Sequence, residues 1–188
     1  MPRASTSRDR MIQTAAQLLW SQGFNATGLN QILEQSDTPK GSLYFHFPGG
    51  KEQLAVEALK SAGVLVTNEI QKRLDRHDNV ADGIADFVGA FARFLQRSNF
   101  ERGCPAATVT LEASAKSEAL REACLEVYDR WQAILTTRLV AAGKAPERAS
   151  GLATLILSAV EGAMILSRAR GSTQPLEAVS EELVSLVR

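Results

Sequence analysis

The side chains with the most to offer chemically crowd into one short stretch, Lys40, Ser42, Tyr44 and His46, with Thr27 upstream and Lys51 downstream. Lys40 can donate to a phosphate or to the acceptor edge of guanine, and Ser42 can donate or accept. Tyr44 and His46 each join a flat apolar ring to a polar tip. Thr27 can offer its hydroxyl and the amides of a helix start to a phosphate, and Lys51 stands at the start of the next helix. Such a set suits a nucleic acid better than a reaction. His46 and His77 lie in polar stretches, no nucleophile elbow or phosphate-binding glycine loop occurs, and paired carboxylates have no obvious cleft. The chain is therefore not read as an enzyme, and no cofactor is expected. Cys104 and Cys124 have neither CxxC spacing nor a histidine neighbour, which argues against a zinc site or a disulfide scaffold.

Those side chains must be held by helices. Apolar residues recur at three and four positions along most of the chain, and no sustained alternation marks a strand, so an all-α fold of about nine helices is expected. Ser5 or Ser7 can cap a first helix with Met11, Ile12, Ala15, Ala16, Leu18 and Leu19 inward, which Gly23 stops. Thr27 can cap a short helix containing Leu29, Ile32 and Leu33, breaking near Ser36–Pro39. A third helix, about 39–45, turns Leu43 and Phe47 inward and Lys40, Ser42, Tyr44 and His46 outward. Two short helices joined by a tight turn are the parts of a helix-turn-helix, whose second helix enters the major groove. A long helix follows from Lys51 to about Arg76. Further helices are expected at about 80–97, 105–113, 118–142, 146–170 and 176–187.

Composition narrows the alternatives. The 188 residues are 45% hydrophobic and 22% charged, with 21 Lys and Arg against 21 Asp and Glu. This is the profile of an ordinary globular chain, not of a disordered or collagen-like one. Neutrality gives no whole-chain attraction to nucleic acid, although residues 1–51 carry five cations against three carboxylates, a local excess of +2. The uncharged apolar stretch Ala149 to Val160 falls short of the roughly 20 apolar residues that span a bilayer. No apolar signal core follows the charged N-terminal residues, so a cytoplasmic protein without a membrane partner is expected.

Gly23-Phe24-Asn25-Ala26-Thr27-Gly28-Leu29-Asn30-Gln31-Ile32, then Lys40-Gly41-Ser42-Leu43-Tyr44-Phe45-His46-Phe47, then Lys51-Glu52-Gln53-Leu54, resembles the DNA-binding domain of the TetR family of repressors. Phe47-Pro48-Gly49-Gly50-Lys51-Glu52 and Arg102-Gly103-Cys104-Pro105 further resemble its LmrA/YxaF-like branch. The resemblance implies a homodimeric regulator that binds a palindromic double-stranded DNA operator and leaves it when a small-molecule inducer enters the C-terminal domain. It implies a helix-turn-helix domain over 1–50 and a ligand-binding and dimerisation domain over 51–188. Thr27, Lys40, Gly41, Ser42, Tyr44, His46 and Lys51 are the implied DNA contacts. The turn departs from the family's Gly-Val-Ser, reading Asp37-Thr38-Pro39, which adds a carboxylate and removes an amide donor beside the DNA.

The remainder of the chain invites a ligand site. Phe87, Phe91 and Phe94 share a helix face, Ala106, Ala107 and Thr108 are small, and Trp131 falls on the long helix opposite. Large rings facing small residues make a cleft for an apolar or aromatic molecule. The candidate lining is Phe91, Phe94, Cys104, Val109, Trp131, Glu161 and Met164, with Glu112 or Glu161 bonding a hydroxyl; the Phe stripe can equally be core. Cys104 has a redox alternative, because Arg102 and the helix starting at Pro105 can activate a thiol. The helix at 146–170 is apolar on more than one side. Leu155, Ser158, Ala159, Gly162, Ile165 and Leu166, with Leu183 and Leu186, can meet a second copy in an isologous four-helix contact. The rival to a DNA-binding regulator is a helical ligand-binding or interaction module whose N-terminal helices do not engage DNA.

Overall fold

The computed structural model describes residues 6–188. Among these residues there are nine helices and no strand: α1 (Ser7–Ala26), α2 (Leu29–Gln35), α3 (Lys40–His46), α4 (Gly50–Leu74), α5 (Val80–Arg97), α6 (Pro105–Ala113), α7 (Glu118–Ala141), α8 (Pro146–Arg170) and α9 (Gln174–Val187). Thr6 caps α1. Its hydroxyl accepts from the Asp9 N–H at 3.2 Å while its own N–H donates to the Asp9 carboxylate at 3.2 Å, a reciprocal capping box. Ser7 is the first helical residue and Ser5 lies outside the described residues, so the cap is neither of the two expected serines.

Packing gathers the helices into two compact units, one comprising the chain through Val64 with Pro105–Val127, the other Leu65–Cys104 with Tyr128–Arg188. The packing boundary is therefore not the motif boundary at residue 50. Two seven-residue helices cannot cover α1 on every side, and α6 completes the job. Val109, Ala113, Leu120, Ala123 and Cys124 enter the same core as Met11, Leu19, Ile32, Leu43, Phe47 and Leu54. Gly63 lets α4 and α7 approach closely, because a Cβ there would lie 2.6 Å from Val127 Cγ2.

In the second unit α5 packs on α8 and α9. Its buried face is Ile84, Phe87, Val88 and Leu95; α8 contributes Leu152, Ile156, Val160 and Met164, and α9 contributes Leu176, Leu183 and Val187. Asn79 caps α5 by accepting from the Ala81 N–H at 2.8 Å. Among the described residues, α8 has the length and mean hydropathy of a bilayer span, but its Leu152–Met164 face is already buried against this unit's own core.

Polar ties fix the helix ends. Arg138 Nη2 donates to Leu74 O at 2.7 Å and to His77 O at 2.8 Å, satisfying carbonyls that the end of α4 leaves open. Asp86 receives Arg73 at 3.1 Å, Arg93 at 3.3 Å and His77 Nε2 at 3.5 Å. Burial alone would raise this carboxyl; the Arg73 guanidinium and the bonds from His77, Arg73 and Arg93 outweigh it and hold it below the usual aspartate range. Its charge thus stabilises the fold at and above the usual aspartate value, and the contribution disappears as pH falls through the depressed one. Replacing Asp86 with Ala should lower stability at pH 7 by about 1–3 kcal/mol. Urea titrations at pH 7 and pH 3 should show the variant and the wild type converging in acid.

Candidate nucleic-acid interface

A bonded turn positions α3. Arg10, on α1, donates through Nε to Ser36 O at 3.0 Å and through Nη2 to Asp37 O at 3.2 Å. The Ser36 and Thr38 hydroxyls lie 2.6 Å apart, and the Thr38 N–H donates to Leu33 O at 3.0 Å. Asp37 adopts a left-handed φ of 49°, which aspartate tolerates better than most side chains. Pro39 then caps α3 with its φ preset at −60°. Leu43 and Phe47 are buried from the other side, and the Arg8 guanidinium lies over the Phe47 ring, 5.6 Å from its centroid.

What α3 leaves outside is Lys40, Gly41, Tyr44 and Phe45. Those four positions share a face because successive helical side chains are about 100° apart. Tyr44 is 57% exposed and Phe45 83%. Ser42 and His46 sit half-buried at the flank, the imidazole edge-on to Phe45 with ring centroids 4.9 Å apart. The expected outward set 40, 42, 44 and 46 follows a strand's alternation; the helical period points to Phe45, which that set omitted. At Gly41 an added Cβ would meet nothing within 4 Å and its φ is not positive, so nothing within the protein requires glycine there.

The turn between α1 and α2 corrects the expected cap of α2. Thr27 is 2% exposed and donates its hydroxyl to Gly23 O at 2.5 Å. It holds the turn from within, and Gly28, not Thr27, occupies the cap of α2. Gly23 departs from the helix at φ 77° as expected, pressed against Glu112, whose carboxylate accepts from the Asn25 N–H at 2.9 Å. Glu112 is thus a brace for the turn. Lys51 Nζ donates to Asn25 O at 3.4 Å and lies 4.3 Å from the Phe24 ring centroid. Burial lowers this amine's pKa, and the Glu112 charge partly offsets the shift. Lys51 is half-buried and braces the turn with one of its ammonium's three donors.

The expected ligand set is divided between the two compact units. Val109 is fully buried in the core of the first unit, because α6 packs on α1. Phe91 sits edge-on to Phe87 at 5.4 Å. Trp131 is buried, donates from Nε1 to Thr67 Oγ1 at 3.2 Å and meets Tyr128 edge-on. Met164 is buried in the α8 face. Phe94 lines a surface cleft of about 530 Å³ with Arg97, Ser98, Asn99, Glu101 and Arg102. Cys104 and Cys124 are both buried and form no disulfide. Cys104 bonds the Glu161 carboxyl, while Glu161 Oε2 is buried without a partner; burial is the main reason this carboxyl's pKa is raised.

On α8 and α9, Leu155, Ile165, Leu166 and Leu186 are about half exposed and Ser158 is exposed, with Ala159 and Gly162 half-buried beside them. Leu183 departs from this expectation. It is 4% exposed, on the inner face of α9 with Leu176 and Val187, and offers nothing to a second copy.

A braced helix-turn-helix presenting one uncovered face, carried on an all-helical body, defines a DNA-binding regulator of transcription. Residues 11–58 match the family described as bacterial regulatory proteins, tetR family, and residues 80–182 match the C-terminal domain of LmrA/YxaF-like transcriptional regulators. The chain is 37% identical to the HTH-type transcriptional regulator YxaF of Bacillus subtilis, over 100% of this chain and 98% of that protein. It is 35% identical to LmrA of the same organism, covering 97% of each. A TetR regulator from Legionella pneumophila shares the fold, with a TM-score of 0.88, 21% identity and full coverage of both chains. The regulator CifR, solved with a 26-base-pair operator, superposes with a TM-score of 0.80 at 25% identity over 98% of each chain. The chain belongs to the TetR family, in its LmrA/YxaF-like branch.

The raised Glu161 carboxyl has a measurable consequence. The folded chain holds this proton more tightly than the unfolded one, so the associated stability is present in acid and is lost as pH rises from the ordinary glutamate range through the raised value. Glu161→Gln removes the titration while preserving shape. In denaturant titrations between pH 4 and 8 the variant should match the wild type in acid and become progressively the more stable of the two as pH rises.

Proposed function

We propose that the chain represses transcription as a cytoplasmic homodimer on a palindromic operator and releases it when a small, apolar or aromatic molecule occupies the C-terminal unit. The observation that carries the DNA-binding part is the face of α3: Lys40, Tyr44 and Phe45 uncovered around a glycine that nothing within the protein requires. Glycine costs roughly 0.5–1 kcal/mol against alanine inside a helix. Its presence here is accounted for by the close approach of another molecule. Lys40 supplies the cation for phosphate or guanine, and Tyr44 a ring and a hydroxyl.

The exposed Leu155, Ile165, Leu166 and Leu186 supply the apolar surface for a second copy, and Ser158, Ala159 and Gly162 allow the two helices to come close. Dimeric helix-turn-helix proteins read half-sites about 34–36 Å apart, the spacing expected of the operator. Release follows if the effector binds better to the state in which the recognition helices no longer fit; equal affinity for both states would move nothing. The α4 helix, continuous from the first unit into the second, is the lever in this scheme.

Fluorescence anisotropy on upstream DNA at two salt concentrations tests the operator. Selective, salt-sensitive binding is expected, with Lys40→Ala weakening it by about 1–3 kcal/mol. Gly41→Ala should raise thermal stability by up to about 1 kcal/mol while weakening the operator complex, because the new methyl faces the DNA. Absence of any selective binding would leave the helical binding module as the better account. Ile165→Glu should shift the mass in sedimentation from dimer to monomer without loss of helix content. A wild-type monomer would overturn the dimer.

A further inference from the structure

Phe45 is the most exposed large apolar side chain among the described residues, on a helix whose opposite face is closed by Leu43 and Phe47. A phenylalanine in this position has no stabilising role that the fold explains, and leaving so large a ring in water forgoes the gain of burying it. It lies beside Lys40 and Tyr44 on the face assigned to DNA, so its partner is the groove that those residues enter. Tyr44 carries a hydroxyl for a phosphate. Phe45 has neither donor nor acceptor and can neither bond a phosphate nor read a hydrogen-bonding base edge.

The one apolar group that a base edge presents in the major groove is the C5-methyl of thymine. We propose that Phe45 reads a thymine methyl in each half-site and so sets a position of operator specificity that the polar side chains do not. The half-buried His46 ring, edge-on at 4.9 Å, limits the directions in which the phenyl ring can swing. The proposal rests on the operator-binding reading above.

The test selects a duplex from random DNA with the full-length protein and then replaces each thymine, one at a time, by deoxyuridine, which deletes the methyl and nothing else. Wild-type protein should lose about fourfold in affinity at one thymine per half-site, the worth of one buried carbon. Phe45→Ala should bind the thymine duplex more weakly and be indifferent to that same replacement, whereas Lys40→Ala should keep the methyl sensitivity. Phe45→Leu should retain part of it. Equal affinity of the wild type for every deoxyuridine duplex would overturn the methyl contact while leaving the operator intact. So would a loss in Phe45→Ala equal to that in the wild type. Failure to select any sequence would remove the operator reading itself, and this inference with it.

Discussion

A helix of seven residues is not stable in water, since nucleation fixes several residues for the first hydrogen bond and length alone supplies the return. Both α2 and α3 are that short. Their existence, and with it the uncovered face of α3, depends on tertiary burial. Leu43 and Phe47 enter the core with Met11 and Leu19, and Arg10 takes up the Ser36 and Asp37 carbonyls that the end of α2 would otherwise leave to water. The uncovered face of α3 is held in place because its reverse side is part of a core.

The same economy of unpaired backbone groups runs through the molecule. Asn25 N–H meets Glu112, Asn25 O meets Lys51, Gly23 O meets Thr27, and Leu74 O meets Arg138. Each is a chain reversal or helix end where the ladder stops, and each is closed by a side chain from a segment remote in sequence or one turn away. Several of the polar residues that look chemical in sequence are engaged in this way. Thr27, Lys51 and Glu112 hold the shape of the turn.

Much of the fold was legible because its signal is periodic. The bounds of α5, α6 and α8 agree with the apolar pattern residue for residue, and Gly23, Pro39 and the Pro48-Gly49-Gly50 run mark the interruptions they should. What could not be read was pairing at a distance. Nothing local distinguishes a threonine that donates to a carbonyl four residues back from one offered to phosphate. Nor does the sequence say that Val109 enters the core of the N-terminal helices, or that Leu183 turns in while Leu186 turns out. Phe45 was missed for a different reason. Within seven residues, an every-second-residue pattern and a helical one share Lys40 and Tyr44, and only the next position separates them.

Two helices, α4 and α7, run unbroken from one compact unit into the other, and Gly63 brings them into contact at Val127, next to where the units divide. A side chain larger than hydrogen at residue 63 would have to displace Val127, because a Cβ would approach it to 2.6 Å. Packed helices in such a contact do not deform continuously; they shift as bodies or repack between discrete arrangements. A displacement of α4 would therefore have to carry α7 with it or break the Gly63 contact. The second course exposes apolar surface and is the costlier. Within the first unit, therefore, α4 and α7 are tied to one another at Gly63.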